Sequence, residues 1–347
     1  MEKGHKMGKI YLLDCTLRDG GYVNDWKFSR KQYDDIVTKL EDASIDCIEL
    51  GMMGSGSRKD FRTRFYGFED IPVRGKKRNV IYTVMMTAGE SDEVPIPPRV
   101  NGGTVDAVRL AFFKPDIDKA FQTADKIKQN GYLLFMQAMA TFMYTDNELQ
   151  KLIQKVNKLQ ADAFYMVDSF GTMYPDEVIK MAELADSLLD KETGFGFHAH
   201  NNRQLAFAND IAFAESLLKS GRREKIYVDA SVFGMGRGAG NTPIELIAGY
   251  LNEKQGSHYN TDALMDIYQS AVREEYENKQ WGYAMDYYMT SQLQMNSAYI
   301  WYIKTVKNIC NFAEVRNILK RIPSADRYTL KKDIVNSILD DAYRQEK

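Results

Sequence analysis

The amino-acid sequence predicts an α/β protein: a (β/α)8 TIM barrel with a helical C-terminal extension. Two observations lead there. Eight short apolar runs alternate with longer helix-periodic segments over roughly the first 245 residues, the pattern of a parallel sheet built from strand–helix units. Polar residues able to do chemistry collect where those runs end, which is where barrel enzymes carry their sites.

The strands are expected at 10–14, 47–51, 80–86, 107–111, 133–139, 163–168, 195–200 and 226–231. Most are nearly continuous apolar runs, as strands covered on both faces require. Helices are expected between them at 29–43, 117–130, 145–159, 175–189 and 204–220. Ser29 and Thr145 suit N-caps, and Gly131 after Asn130 is a natural helix stop. Eight units favour closure into a barrel over an open sheet. The division expected is an N-terminal extension (1–9), a barrel (10–260) and a helical C-terminal region (261–347), the last rich in Tyr and Met. The stretch 55–70 after the second strand carries Arg58, Lys59, Arg62, Arg64, Phe65 and Tyr66. It reads either as a lid that collects anions or as a solvated surface loop.

Composition narrows the function. Of 347 residues, 44% are hydrophobic and 27% charged, enough to bury one large core. A formal net charge of −2 argues against nucleic acid or an acidic membrane as partner, since both reward a basic surface. No apolar run reaches the ~18 residues of a membrane span. The first nine residues lack the apolar stretch of a signal peptide. The three cysteines, Cys15, Cys47 and Cys310, cannot all pair and show no zinc spacing. A reduced, cytoplasmic protein is therefore expected, with Cys15 as a small packing residue.

His198-Ala199-His200 is the strongest local feature, using two of only four histidines in the chain. Residues two apart on a strand face the same side, so both imidazoles reach one space at the barrel mouth. They are either metal ligands or a pair of hydrogen-bonded structural histidines. Asp19, in the loop above strand one, is the carboxylate best placed to complete a two-histidine, one-carboxylate site with open positions. Such a site suits a divalent ion acting as a Lewis acid, Mn or Mg favoured and Co or Zn compatible. Arg18 beside it can face a developing negative charge on a keto oxygen, or form an ordinary ion pair with Glu49, or both. Gly234-Met235-Gly236-Arg237-Gly238-Ala239 formally matches a dinucleotide fingerprint, but it follows the eighth strand, not the first. It reads better as a tight turn whose amides approach an anion.

These motifs together resemble the DRE-TIM metallolyases. Asp14-Cys15-Thr16-Leu17-Arg18-Asp19-Gly20 is similar to their opening signature, His198-Ala199-His200-Asn201-Asn202 to their paired-histidine strand, and Gly234 to Asn241 to their glycine-rich turn. Within that family the 4-hydroxy-2-oxovalerate aldolases resemble the chain most. The resemblance implies metal ligands at Asp19, His198 and His200, and Arg18 stabilising an enolate. It also implies that Ser169 binds substrate and that Tyr299 contacts substrate from the C-terminal helices. The reaction implied is cleavage or formation of a 4-hydroxy-2-oxo acid, giving pyruvate and an aldehyde through a metal-stabilised enolate. Alternatives are a Claisen-type acyltransferase of the isopropylmalate or homocitrate synthase kind, or a catalytically impaired metal-binding barrel. Tyr22 stands where those aldolases place a histidine base, and a phenol of pKa ~10 is a poor base unless its surroundings lower it. Arg237 replaces a small residue and hints at a further anionic group on the substrate. Beyond a small 2-oxo-acid substrate, the partners expected are a second copy of the chain or an aldehyde dehydrogenase.

Overall fold

Eight parallel strands close on themselves: β1 (Lys9–Asp14), β2 (Cys47–Met53), β3 (Ile81–Thr87), β4 (Ala107–Phe112), β5 (Leu133–Met139), β6 (Ala163–Asp168), β7 (Gly194–Ala199) and β8 (Lys225–Ala230). Each pairs with its neighbour in sequence, and β1 also pairs with β8, Asp14 opposite Ala230, which completes the barrel. The computed structural model describes residues 8–56, 60–75, 77 and 79–345. Most of the expected N-terminal extension, and Arg58 and Lys59 of the loop after β2, lie outside the described residues.

The strands fall within a residue or two of their expected positions because apolar runs bounded by polar loops mark them locally. Side-chain alternation then divides the core. Outward residues join the helices in one large cluster, while Leu13, Cys47, Phe135, Tyr165 and Tyr227 form a separate one inside the barrel. Phe135, Tyr165 and Tyr227 pack ring on ring there, with centroids 5.3–6.1 Å apart. Two residues further along their strands, Glu49, Arg109 and Asp229 replace apolar groups with a charged layer, all 0% exposed.

Helices α1 (Arg30–Asp42), α2 (Ile117–Gln129), α3 (Asp146–Leu159), α4 (Pro175–Leu188), α5 (Ala206–Ser220) and α6 (Ile244–Gln255) cover the outside. Ser29 and Thr145 each close a capping box, with Gln32 and Glu148 three residues on. Among the described residues, the crossovers from β2 to β3 and from β3 to β4 carry no α-helix. Where it is described, the first of these is more than a solvated loop. It adds a two-residue strand, Arg64–Phe65, beside β2. Thr63 Oγ1 donates to the Leu17 carbonyl at 2.7 Å, pinning it over the loop that follows β1.

Past β8 the chain is helical. Leu264, Ile267, Val272 and Trp281 still belong to the barrel's outer cluster. A second cluster, from Met289 to Ile338, packs on its own around Tyr299, Ile303, Val315 and Leu319. No helix among the described residues is long and apolar enough to cross a membrane. Cys15 and Cys47 are buried, and Cys310 is exposed in a loop of the C-terminal region.

Candidate metal centre

The loop after β1 is built to hold Arg18 and Asp19 still. Asp14, the last residue of β1, accepts from the Thr16 amide (3.0 Å) and hydroxyl (2.7 Å). The same hydroxyl accepts from the Val232 amide at 2.8 Å, tying this loop to the one after β8. Trp26 Nε1 donates to the Arg18 carbonyl from behind. Arg18 and Asp19 are thereby buried at the barrel mouth, 5% and 1% exposed.

Across the mouth stand His198, on β7, and His200, just beyond it, their ring centroids 5.1 Å apart and nearly perpendicular. Ligand atoms of Asp19, His198 and His200 all lie within 4.8 Å of one another. Sequence reasoning selected these three residues, and the fold brings them together. It did not find what holds them. His198 Nδ1 lies 3.0 Å from Asp229 Oδ2, and Asp229 is paired in turn with Arg109. Arg109 also faces Glu49 at 3.1 Å, and Glu49 accepts from Arg18 Nε at 2.7 Å. A buried charge network thus runs from the arginine of the site to its first histidine. Only the Arg18–Glu49 pair was legible beforehand.

The electrostatics suit a cation. Burial works to raise the Asp19 carboxyl, but the Arg18 guanidinium beside it, helped by Arg237, overcomes this and holds the group well below the ordinary carboxylate range. Burial, helped by Arg237 and His198, pushes His200 well below the usual imidazole value, so it stays neutral, the form that binds metals. Several polar atoms here are buried without a hydrogen-bond partner: His198 Nε2, Arg18 Nη2 and Asn241 Oδ1. Buried donors and acceptors are seldom left unmade, because each costs roughly 1–3 kcal/mol. Two imidazoles, a carboxylate and unpartnered neighbours fit a divalent cation with open positions for oxygen ligands.

The glycine-rich turn serves the protein's own carboxylate. The Arg237 amide and the Asn241 side chain both donate to Asp19 Oδ2, at 3.3 and 2.8 Å. The anion expected at this turn is Asp19 itself. A Cβ on Gly236 would lie 2.5 Å from that oxygen, so only glycine lets the backbone come so close.

Ser169, after β6, is 4% exposed; its Oγ accepts from the Ala140 amide at 2.9 Å, leaving its own O–H free to donate. Arg237 donates to the Ser169 carbonyl at 2.9 Å and lies 3.4 Å from His200 Nε2. Tyr22 lines the same cavity, its ring edge-on to Trp26 and 5.7 Å from the Arg237 guanidinium. Tyr22 is 39% exposed, yet desolvation at its cavity end raises its phenol above the ordinary value, with Arg237 opposing, so the environment does not tune it downward. Tyr299 is the one candidate the fold does not bring to the site. It is 0% exposed within the C-terminal cluster, its hydroxyl bonded to the Asp326 and Thr329 carbonyls. Its neighbours Ser297 and Ile300 do reach the space above the mouth.

Two histidines and a carboxylate meeting at the carboxyl end of a closed barrel make a candidate metal site where α/β barrels carry their chemistry. The HMGL-like family model matches residues 9–271, and the chain belongs to that family. It is 31% identical over 247 residues to the 4-hydroxy-2-oxovalerate aldolase of Chloroflexus aurantiacus, covering 70% of this chain and 68% of that one. The enzyme of the same name from Shewanella pealeana is 27% identical over 272 residues, 76% of this chain and 77% of the relative. Among solved structures, the N-terminal domain of a provisionally named aldolase from Bacteroides vulgatus superposes with a TM-score of 0.69 at 27% identity, over 86% of this chain and 98% of that domain. The carboxyl transferase domain of Rhizobium etli pyruvate carboxylase superposes at 0.71 over 97% of this chain and 61% of that one, but at 14% identity it shows the fold alone. With these relatives, the chain is an enzyme of the carbon–carbon lyase class.

Proposed function

We propose that the protein is a divalent-metal-dependent aldolase that cleaves or forms a 4-hydroxy-2-oxo acid, with pyruvate and an aldehyde as the two halves. The observation that carries this reading is the convergence of unpartnered buried groups on the Asp19–His198–His200 cluster. Asp19, His198 and His200 would hold the cation. What the ion supplies when bound is Lewis-acid stabilisation of charge on the oxo acid's carbonyl oxygen. Manganese or magnesium is favoured, and cobalt or zinc is compatible with the mixed nitrogen and oxygen donors.

The chain's own residues do the rest. Arg18 is fixed by Glu49 and Asp19, so its free Nη2 is oriented before substrate arrives and can donate to the keto oxygen as negative charge develops there. The Ser169 hydroxyl can donate to the oxo acid's carboxylate. Asp229 fixes the His198 ring through Nδ1, leaving Nε2 for the centre. Tyr22, its phenol raised above the ordinary value, is better suited to donate a hydrogen bond to the aldehyde oxygen than to act as a free base. Three unpaired cysteines, two of them buried, suit a reducing cytoplasm. The C-terminal helices offer a surface for a second copy or for a dehydrogenase that consumes the aldehyde.

The test is pyruvate methyl deuterium exchange, together with pyruvate release from 4-hydroxy-2-oxo acids. Both should vanish on chelation and return with manganese or magnesium. Tyr22→Phe should lower cleavage about 100-fold, at the low end of what a positioned proton donor contributes, and spare exchange. Full activity in metal-stripped protein would refute the proposal.

A further inference from the structure

Above the metal centre lies a second, larger cavity, of about 740 Å³, between the barrel mouth and the C-terminal helices. Tyr22, Thr87, Met139 and Arg237 line both spaces, so they form the boundary between them. The larger space falls in the ~300–1,000 Å³ range that holds ligands of many heavy atoms. A two-carbon aldehyde would leave most of it to water.

Its walls have a definite chemistry. Trp281, fixed by its Nε1 bond to the Phe233 carbonyl, and Trp301 supply flat apolar faces. Gln280, Ser297, Thr305 and Thr329 line it too, and among the described residues none of their side chains is committed to a hydrogen bond. Lys304 is neutralised by Asp286 at 2.9 Å. Arg237 makes no ion pair, although Glu90 lines the same chamber and Asp19 acts on it at longer range. Among the described residues no carboxylate lies within ion-pair distance of its guanidinium, and its contacts are the Ser169 carbonyl, the His200 ring and the Tyr22 face. A half-buried guanidinium left without an anion is suited to a carboxylate or phosphate, which it can grip through two parallel bonds.

We infer that the aldehyde half of the substrate is an anionic, hydroxylated chain longer than two carbons, seated in this chamber with its charge on Arg237. This rests on the aldolase reading and adds the class of its acceptor. In condensation the pyruvate methyl carbon, having lost one proton, attacks the aldehyde carbon. The new carbon–carbon bond forms as the carbonyl pair moves onto the aldehyde oxygen, which then takes up a proton. Cleavage is the reverse, with no net oxidation or reduction. Arg237 acts as a specificity residue, holding the acceptor's far end.

The experiment compares acceptors on the manganese-loaded enzyme with pyruvate: acetaldehyde, glyceraldehyde, glyceraldehyde 3-phosphate and succinic semialdehyde. The expected result is a kcat/KM at least tenfold higher for glyceraldehyde 3-phosphate than for glyceraldehyde. That tenfold ratio corresponds to about 1.4 kcal/mol. Preference for the phosphate or for the semialdehyde then tells phosphorylated from carboxylated substrates. Arg237→Gln should collapse the phosphate-to-neutral ratio toward one through KM, and Arg237→Lys should restore it in part. No preference for either glyceraldehyde 3-phosphate or succinic semialdehyde over the uncharged aldehydes would overturn the inference, as would an Arg237→Gln loss equal for every acceptor. Deuterium exchange into pyruvate by the wild-type enzyme separates the two failures. Exchange without anionic preference sinks only the acceptor class, whereas no exchange sinks the aldolase reading and this inference with it.

Discussion

Asp14 illustrates how much a single buried residue is asked to do. Burial raises its carboxyl to about 7, while its two bonds from Thr16 pull the other way and Glu49 and Asp229 add to the rise. A carboxyl raised in the folded state binds its proton more tightly there than in the unfolded chain. Its contribution is complete below about pH 4 and is lost as pH climbs through about 7. Metal-free protein should therefore lose stability, on the order of a few kcal/mol, between those values. Asp14→Asn should flatten that slope in urea denaturation run across the same range, and an unchanged slope would count against the assignment. At this scale the sequence was most informative where chemistry is local. Asp19 follows a strand by a few residues, and His198 and His200 share a face because strands alternate. Asn241 stood in a motif already noticed, but its bond to Asp19 joins residues 222 positions apart. No local pattern encodes such a bond.

At the scale of elements, the turn after β8 is the part most exposed to a small change. Gly240 has φ +87°, and a Cβ there would lie 2.0 Å from the Gly234 carbonyl oxygen and press toward Trp281. Gly240→Ala should cost about 1–3 kcal/mol of stability, the range for a residue forced into such backbone. It should also weaken manganese binding roughly tenfold or more, because Asn241 and the Arg237 amide would shift off Asp19. Calorimetry and a manganese titration read the two effects separately. Lower stability with unaltered metal affinity would show that the turn is structural only. Strand and helix positions were legible because capping boxes and apolar runs are local signals. The crossover after β2 was not, because Thr63 and Arg64 find their partners only once the loop after β1 is in place.

At the scale of the molecule, the barrel interior joins its strands through charge. Arg109 is 0% exposed and faces Glu49 and Asp229, which are equally buried. Arg109→Met would strand two carboxylates in a dry core, and breaking such pairs costs about 3–5 kcal/mol. The variant should melt well below the wild type and bind manganese poorly, since Asp229 would no longer be held against His198. A melting temperature within a degree or two of the wild type would refute this. The sequence by itself determined the alternation, the eight strands, and the three side chains at their ends, because each rests on neighbours within a few residues. Tertiary structure alone decided that Arg109 links Arg18 to His198, that Tyr299 turns into the C-terminal cluster, and that a chamber opens beside Arg237. Those outcomes depend on contacts no local pattern encodes, from 27 residues apart at Tyr299 to 120 at Arg109. The Arg109 links are set only when the barrel closes, and the Tyr299 position only when the C-terminal helices pack together.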